Sequence, residues 1–120
     1  MTRILTNSGL WFDFNYPQVD QVCLHDIAHA LSRICRFGGH TYVHYSVAQH
    51  SVVVADLVRD HGYSTLMQSH GLLHDAHEAM TGDIVSPLKD LLIGIKPIEL
   101  RIDEVIRQAF AIPAISWHDR

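Results

Sequence analysis

The chain has 120 residues, of which 48% are hydrophobic and 18% charged; that is one domain's worth of core-forming polypeptide and excludes both disorder and a multidomain layout. Nine Lys and Arg against thirteen Asp and Glu leave a net charge of -4, which excludes a basic field able to coat duplex nucleic acid. No apolar run approaches the roughly 20 residues of a membrane helix, and residues 1–10 lack a signal peptide's basic start and apolar middle, so a soluble cytoplasmic protein is expected.

The segment from Leu5 to Pro17 carries Trp11, Phe12, Phe14 and Tyr16 between Asn and Gly residues. It reads either as a short strand pair or as an irregular flap. Its aromatics fit packing over a core better than a base-stacking platform. From Val19 to Arg36 the residues Leu24, Ile27, Ala28, Leu31, Ile34 and Cys35 recur at steps of three and four, the stripe of a helix ended by Gly38-Gly39. Cys23 and Cys35 then fall on different faces of one helix, which excludes a disulfide between them and points to thiols in a reducing compartment.

Ser46 is placed to cap a second helix, with Val47, His50, Val53, Val54, Leu57 and Val58 inward and Gly62 past its end. The three β-branched residues 52–54 do not override that periodicity. A third helix runs from Ser64 through Leu66, Leu73, Ala76 and Met80 to Gly82, and a short segment Leu88–Ile93 follows Pro87. Pro97 opens the last helix, with Ile98, Ile102, Val105, Ile106, Ala109 and Phe110 inward and Glu99, Arg101, Glu104 and Arg107 outward. The expectation is an all-α bundle of about five helices forming a single domain over residues 1–120.

Ten histidines are the anomaly of the composition. The sharpest local signal is His74-Asp75, with His77, Glu78 and Asp83 after it. An imidazole and a carboxylate from one turn can chelate a transition metal, and Glu78, at i+4 from His74, stays close. His50 strengthens the reading, because an imidazole among apolar positions is costly unless a hydrogen bond or an ion satisfies it.

Three segments together resemble the HD-domain metal-dependent phosphohydrolases: Ser-Val-Ala-Gln-His50-Ser, Gly-Leu-Leu-His74-Asp75-Ala-His-Glu78, and Thr-Gly-Asp83-Ile-Val-Ser-Pro-Leu-Lys89. The likeness is narrower to short bacterial and phage members, deoxynucleotide 5'-nucleotidases and dNTP or dATP triphosphohydrolases, whose earlier segment is matched by Asp26-Ile-Ala-His-Ala-Leu-Ser-Arg-Ile-Cys-Arg36-Phe37-Gly-Gly-His40. It covers roughly residues 20 to 110. It implies His50, His74 and Asp75 as ligands of a divalent transition metal (Zn, Co, Mn or Fe), Glu78 and Asp83 as acids near the attacking water, and Arg36 with Phe37 facing phosphate or sugar. Lys89 is a further phosphate contact, and His40 a residue of the site's mouth. The implied substrate is a deoxynucleotide, met in the host cytoplasm if the chain is phage-encoded.

The pattern departs from the family at the C-terminus, where a second aspartate in a Lys-x-Ala-Asp setting is expected and absent; Asp119 is the late aspartate available to replace it. The corresponding alternative is a degenerate or truncated HD module that binds nucleotide or a protein partner without catalysis. Ile112, Ile115 and Trp117 read as uncovered apolar surface, implying a homodimer or higher homo-oligomer. His25 and His29 have a chelating i,i+4 spacing, while His70, His74 and His77 read as one partly solvated face, as do Glu99, Asp103 and Arg107.

Overall fold

In the computed structural model, which describes residues 1–115, the chain opens with two antiparallel strands, β1 (Arg3–Leu5) and β2 (Trp11–Asp13). The strand-pair alternative therefore holds. Ile4 pairs with Phe12, and the turn between the strands closes through Gly9, whose φ of +95° suits a residue without Cβ. Phe12 is fully buried with Phe14 edge-on at 5.3 Å, whereas Trp11 stays half exposed beneath the Arg3 guanidinium. Phe12 and Phe14 serve packing over the core, as expected, while Trp11 and Tyr16 are exposed.

A 3-10 turn (Val19–Gln21) leads to helix α1 (Leu24–Arg33), so the expected continuous helix is broken near Val22 and stops short of Arg36. It ends because Ile34 turns extended and its carbonyl accepts from Val47 N, while Arg36 N donates to Tyr45 O and Cys35 bridges Ser46. Tertiary backbone pairing wins over the helical stripe. Cys23 is thus the N-cap of α1 and Cys35 lies past its end, not within one helix. The buried face of α1 is Asp26, Ile27 and Leu31, while Leu24 and Ala28 are exposed.

Helix α2 (Val47–Asp60) starts with the expected cap: Ser46 Oγ accepts from Gln49 N and Gln49 Oε1 accepts from Ser46 N. Gly62, in the left-handed region, stands past its end. Its inner side is Val47, Ser51, Val54 and Val58; Val53 and Leu57, expected inward, are exposed. Helix α3 (Thr65–Leu73), capped by Ser64, does not continue to Gly82 as one helix. The amides of Ala76, Glu78, Ala79 and Met80 bond three residues back rather than four, a tightened run ending in the single-turn helix α4 (Glu78–Thr81).

The short α5 (Ser86–Lys89) and the long α6 (Ile95–Ala109) complete the described chain. Ile102, Val105 and Ile106 join Phe12, Val22, Ile27, Leu31, Val47, Ala76 and Met80 in one core, with Ile98, Ala109 and Phe110 partly buried against it. Glu99 corrects the outward reading of α6, for it is buried. The fold is mostly α, with the small hairpin as its only sheet among the described residues. No helix of the described residues is long and apolar enough to cross a membrane. Ile112 and Ile115 are half-buried around a hollow shared with His70 and Ile106, while Trp117 and Asp119 lie outside the described residues.

Candidate metal centre

The α2–α3 pair brings the first candidate ligands together. Gly71 lets the helices close, since a Cβ there would stand 3.2 Å from Val58 Cγ2 and 3.3 Å from Val54 Cγ1. His50, one turn into α2, meets His74 at the end of α3 with ring centroids 5.3 Å apart. Asp75 Oδ2 lies 3.0 Å from His74 Nε2 and 3.8 Å from His50 Nε2.

The three donors fit a divalent ion. Ligand bonds of about 2.1 Å in a tetrahedral shell hold ligand atoms about 3.4 Å apart, and the two observed separations bracket that value. His74 Nδ1 donates to the Gly71 carbonyl at 2.7 Å, which fixes the ring and turns Nε2 toward Asp75, where a bound ion would take the place of the proton that the two share. Burial, then the Arg36 and His74 charges, hold the His50 pKa below its ordinary value, favouring the neutral ring that ligates. His74 is raised by its hydrogen bond to Asp75, and Asp75 stays below the carboxylate range because the His74, His77 and His50 partners outweigh its burial.

Asp75, His77 and Glu78 form a second cluster of potential donors. There the imidazole is already committed: Nδ1 donates to Asp103 Oδ1 at 2.8 Å, and Nε2 lies 2.6 Å from Glu99 Oε2, an ion-pair contact outside hydrogen-bond alignment. Burial would depress the His77 pKa, but the Asp103 hydrogen bond and the charges of Asp103, Glu99 and Glu78 raise it. His77, read from sequence as partly solvated, is only 6% exposed, and Glu99 and Asp103 meet it rather than forming a solvated face.

Beside the His50–His74–Asp75 corner lies a cavity of about 400 Å³, lined also by Arg36, Phe37, Glu78, Asp83, Lys89 and the 84–87 segment. That is within the size range of small-molecule sites. Glu78 is 5% exposed; burial first, then the Asp75 and Asp83 charges, push its carboxyl up to about 7. Arg36 stacks 4.4 Å above the Phe37 ring and 5.8 Å from the Tyr45 ring. Phe37 sits at φ 58°, a strained setting for a non-glycine residue, and is about half exposed.

The sequence-predicted residues His50, His74, Asp75, Glu78, Asp83, Arg36, Phe37 and Lys89 thus surround one cavity. His40 does not line it; it is exposed beyond the 3-10 turn Arg36–Gly39. His25 and His29 stack on α1 with ring centroids 6.2 Å apart. Sequence reasoning missed Glu99 and Asp103, and it missed Asp26, a buried carboxylate that accepts from Ser8 N and Oγ and ties the hairpin to α1.

No protein-family model matches the chain. It is 42% identical over 116 residues to the uncharacterized protein YfdR of Escherichia coli, an alignment covering 96% of this chain and 62% of that protein. It is 35% identical over 115 residues to an uncharacterized protein of Rhodobacter capsulatus, covering 90% of this chain and 58% of the relative. The chain therefore spans about three-fifths of the length of the curated relatives it matches.

Proposed function

We propose that the protein is a metal-dependent phosphohydrolase of the HD type that hydrolyses deoxynucleotides. The observation that carries the reading is the convergence of two imidazoles and a carboxylate beside a carboxyl titrating near neutrality, in a cavity that also holds Arg36 and Lys89. His50, His74 and Asp75 would hold the ion, and mixed nitrogen and oxygen donors suit Mn, Co, Fe or Zn better than Mg or Ca. When bound, such an ion supplies Lewis-acid polarisation of a phosphoryl oxygen and acidifies water.

The chain's own residues supply the rest. Glu78, with a pKa of about 7, accepts a proton from the water that attacks phosphorus as the bond to the leaving oxygen breaks. Asp83 shares the cavity and orients that water. Arg36 offers a planar donor pair to the phosphoryl oxygens as their charge grows, while Phe37 flanks the organic part of the substrate. The products are nucleoside and phosphate from a monophosphate, or nucleoside and triphosphate from a triphosphate.

The test is metal titration of metal-stripped protein, run beside phosphate and triphosphate release from a deoxynucleotide panel. Turnover with Mn or Co is expected, and Glu78→Gln should lower kcat about 100-fold or more. A second reading follows from the count of three convergent donors at this corner among the described residues: a module that binds nucleotide without turnover. Metal and nucleotide binding with no product from any substrate would establish that second reading, and absence of metal binding would sink the first.

A further inference from the structure

Behind the cavity wall a chain of polar groups runs from α6 to Lys89. Glu99 and Asp103, at i and i+4 on α6, flank the buried His77 ring. The same Glu99 oxygen that meets His77 Nε2 at 2.6 Å accepts from Lys89 Nζ at 2.8 Å. Glu99 is 8% exposed and does not line the cavity; Lys89 does.

A lysine at a cavity wall ordinarily samples many rotamers and gives up that freedom on meeting a ligand. Here one of its three N–H donors is already spent on a carboxylate that buried groups immobilise, leaving two for an anion in the cavity. We propose that Glu99 is a positioning residue: braced by His77, it holds the Lys89 ammonium at the cavity wall, ready to receive the phosphate group of an anionic substrate. The identity of that anion rests on the phosphohydrolase reading; the positioning itself does not need turnover.

The sign of one substitution is diagnostic. Charge alone says that neutralising Glu99 strengthens the positive potential at Lys89 and tightens anion binding, whereas positioning says that binding weakens. Inorganic phosphate is titrated calorimetrically into the full chain, with and without Mn. Lys89→Met should weaken phosphate binding about tenfold and Glu99→Gln about fivefold. Glu99→Gln should add nothing once Lys89→Met is present, and Mn affinity should hold within about twofold throughout. Where turnover is found, KM should rise with kcat nearly kept.

Should Glu99→Gln not fold, Glu99→Asp keeps the charge but withdraws the oxygen by one methylene, and should weaken phosphate binding about threefold. Tighter or unchanged phosphate binding in the Glu99 variants overturns the proposal, as do additive effects with Lys89→Met or a wild-type protein that binds no phosphate. The expected phosphate pattern without hydrolysis of any nucleotide upholds the positioning while removing the catalytic reading. Hydrolysis with wild-type KM in Glu99→Gln does the reverse.

Discussion

His74 and His77 stand three residues apart on the same tightened stretch of backbone, yet they end in opposite environments. His74 gives one nitrogen to the Gly71 carbonyl and turns the other toward Asp75 and His50 at the rim of a cavity. His77 is sealed in with Asp103 on one nitrogen and Glu99 on the other. What separates a potential ligand from a structural imidazole is the company its second nitrogen keeps, and the neighbouring helix decides that: α2 adds the His50 donor to the His74–Asp75 pair at a cavity rim, while α6 closes His77 between two carboxylates.

The largest expected effects are reciprocal. His74→Ala should reduce Mn affinity by about 1000-fold or more, since it removes one of three donors. Its cost in stability should stay under about 1 kcal/mol, as the ring is more than a third exposed. His77→Ala should do the opposite, costing about 3 kcal/mol by emptying a buried ring site, removing Asp103's hydrogen-bond donor and leaving the buried Glu99 with Lys89 alone, with Mn affinity nearly kept. Calorimetric metal titration and urea unfolding of both variants decide it. Loss of Mn binding in His77→Ala alone would move the ion to the Asp75, His77 and Glu78 cluster.

Glu78 lies between the two environments and carries the next effect. Its pKa rises from 4.5 to about 7 on folding, so between those values the folded protein binds the extra proton. Stability therefore falls as pH rises through that window, and above it the full cost of a buried carboxylate is felt. Glu78→Gln should make metal-free protein about 2–3 kcal/mol more stable than the wild type at pH 8, and nearly equal to it at pH 4. Denaturation midpoints across that range measure the gap. Adding Mn should narrow it, because a nearby cation favours the charged carboxylate; a gap independent of pH would mean that Glu78 titrates as an ordinary surface acid.

Much of the rim cavity was legible because its signals are local. The Ser46–Gln49 capping box set the start of α2 and hence the depth of His50, and the adjacent His74 and Asp75 needed only one neighbouring helix to meet it. The buried knot was hidden because its pairing joins residues far apart, His77 and Asp103 being separated by 26 positions. A signal for Glu99 did exist: with Ile95, Ile102 and Ile106 it falls at steps of four, three and four, inside the apolar stripe of α6 rather than opposite it. The ends of α1 were misread for a related reason. Ile34 fits the helical stripe until its carbonyl meets Val47, and nothing local marks the burial of Asp26, which comes from Ser8 arriving out of the hairpin.

Gly71 offers the mildest and most selective probe of the difference between the two histidines. An Ala Cβ there would press on Val54 and Val58 by a few tenths of an ångström, while the helical backbone would gain about 1 kcal/mol of propensity. The two contributions oppose each other, so Gly71→Ala should change stability by less than about 1 kcal/mol. The geometry they act on is not shared equally. Parting α2 from α3 moves His50 away from His74 and shifts the carbonyl that orients the His74 ring, but leaves α6 and the His77 contacts where they are. Mn affinity should therefore fall about threefold to tenfold with the unfolding midpoint almost unmoved. An unchanged affinity would mean that the tightened run carrying His74 and Asp75 sets the metal corner by itself, with His50 following wherever α2 lies.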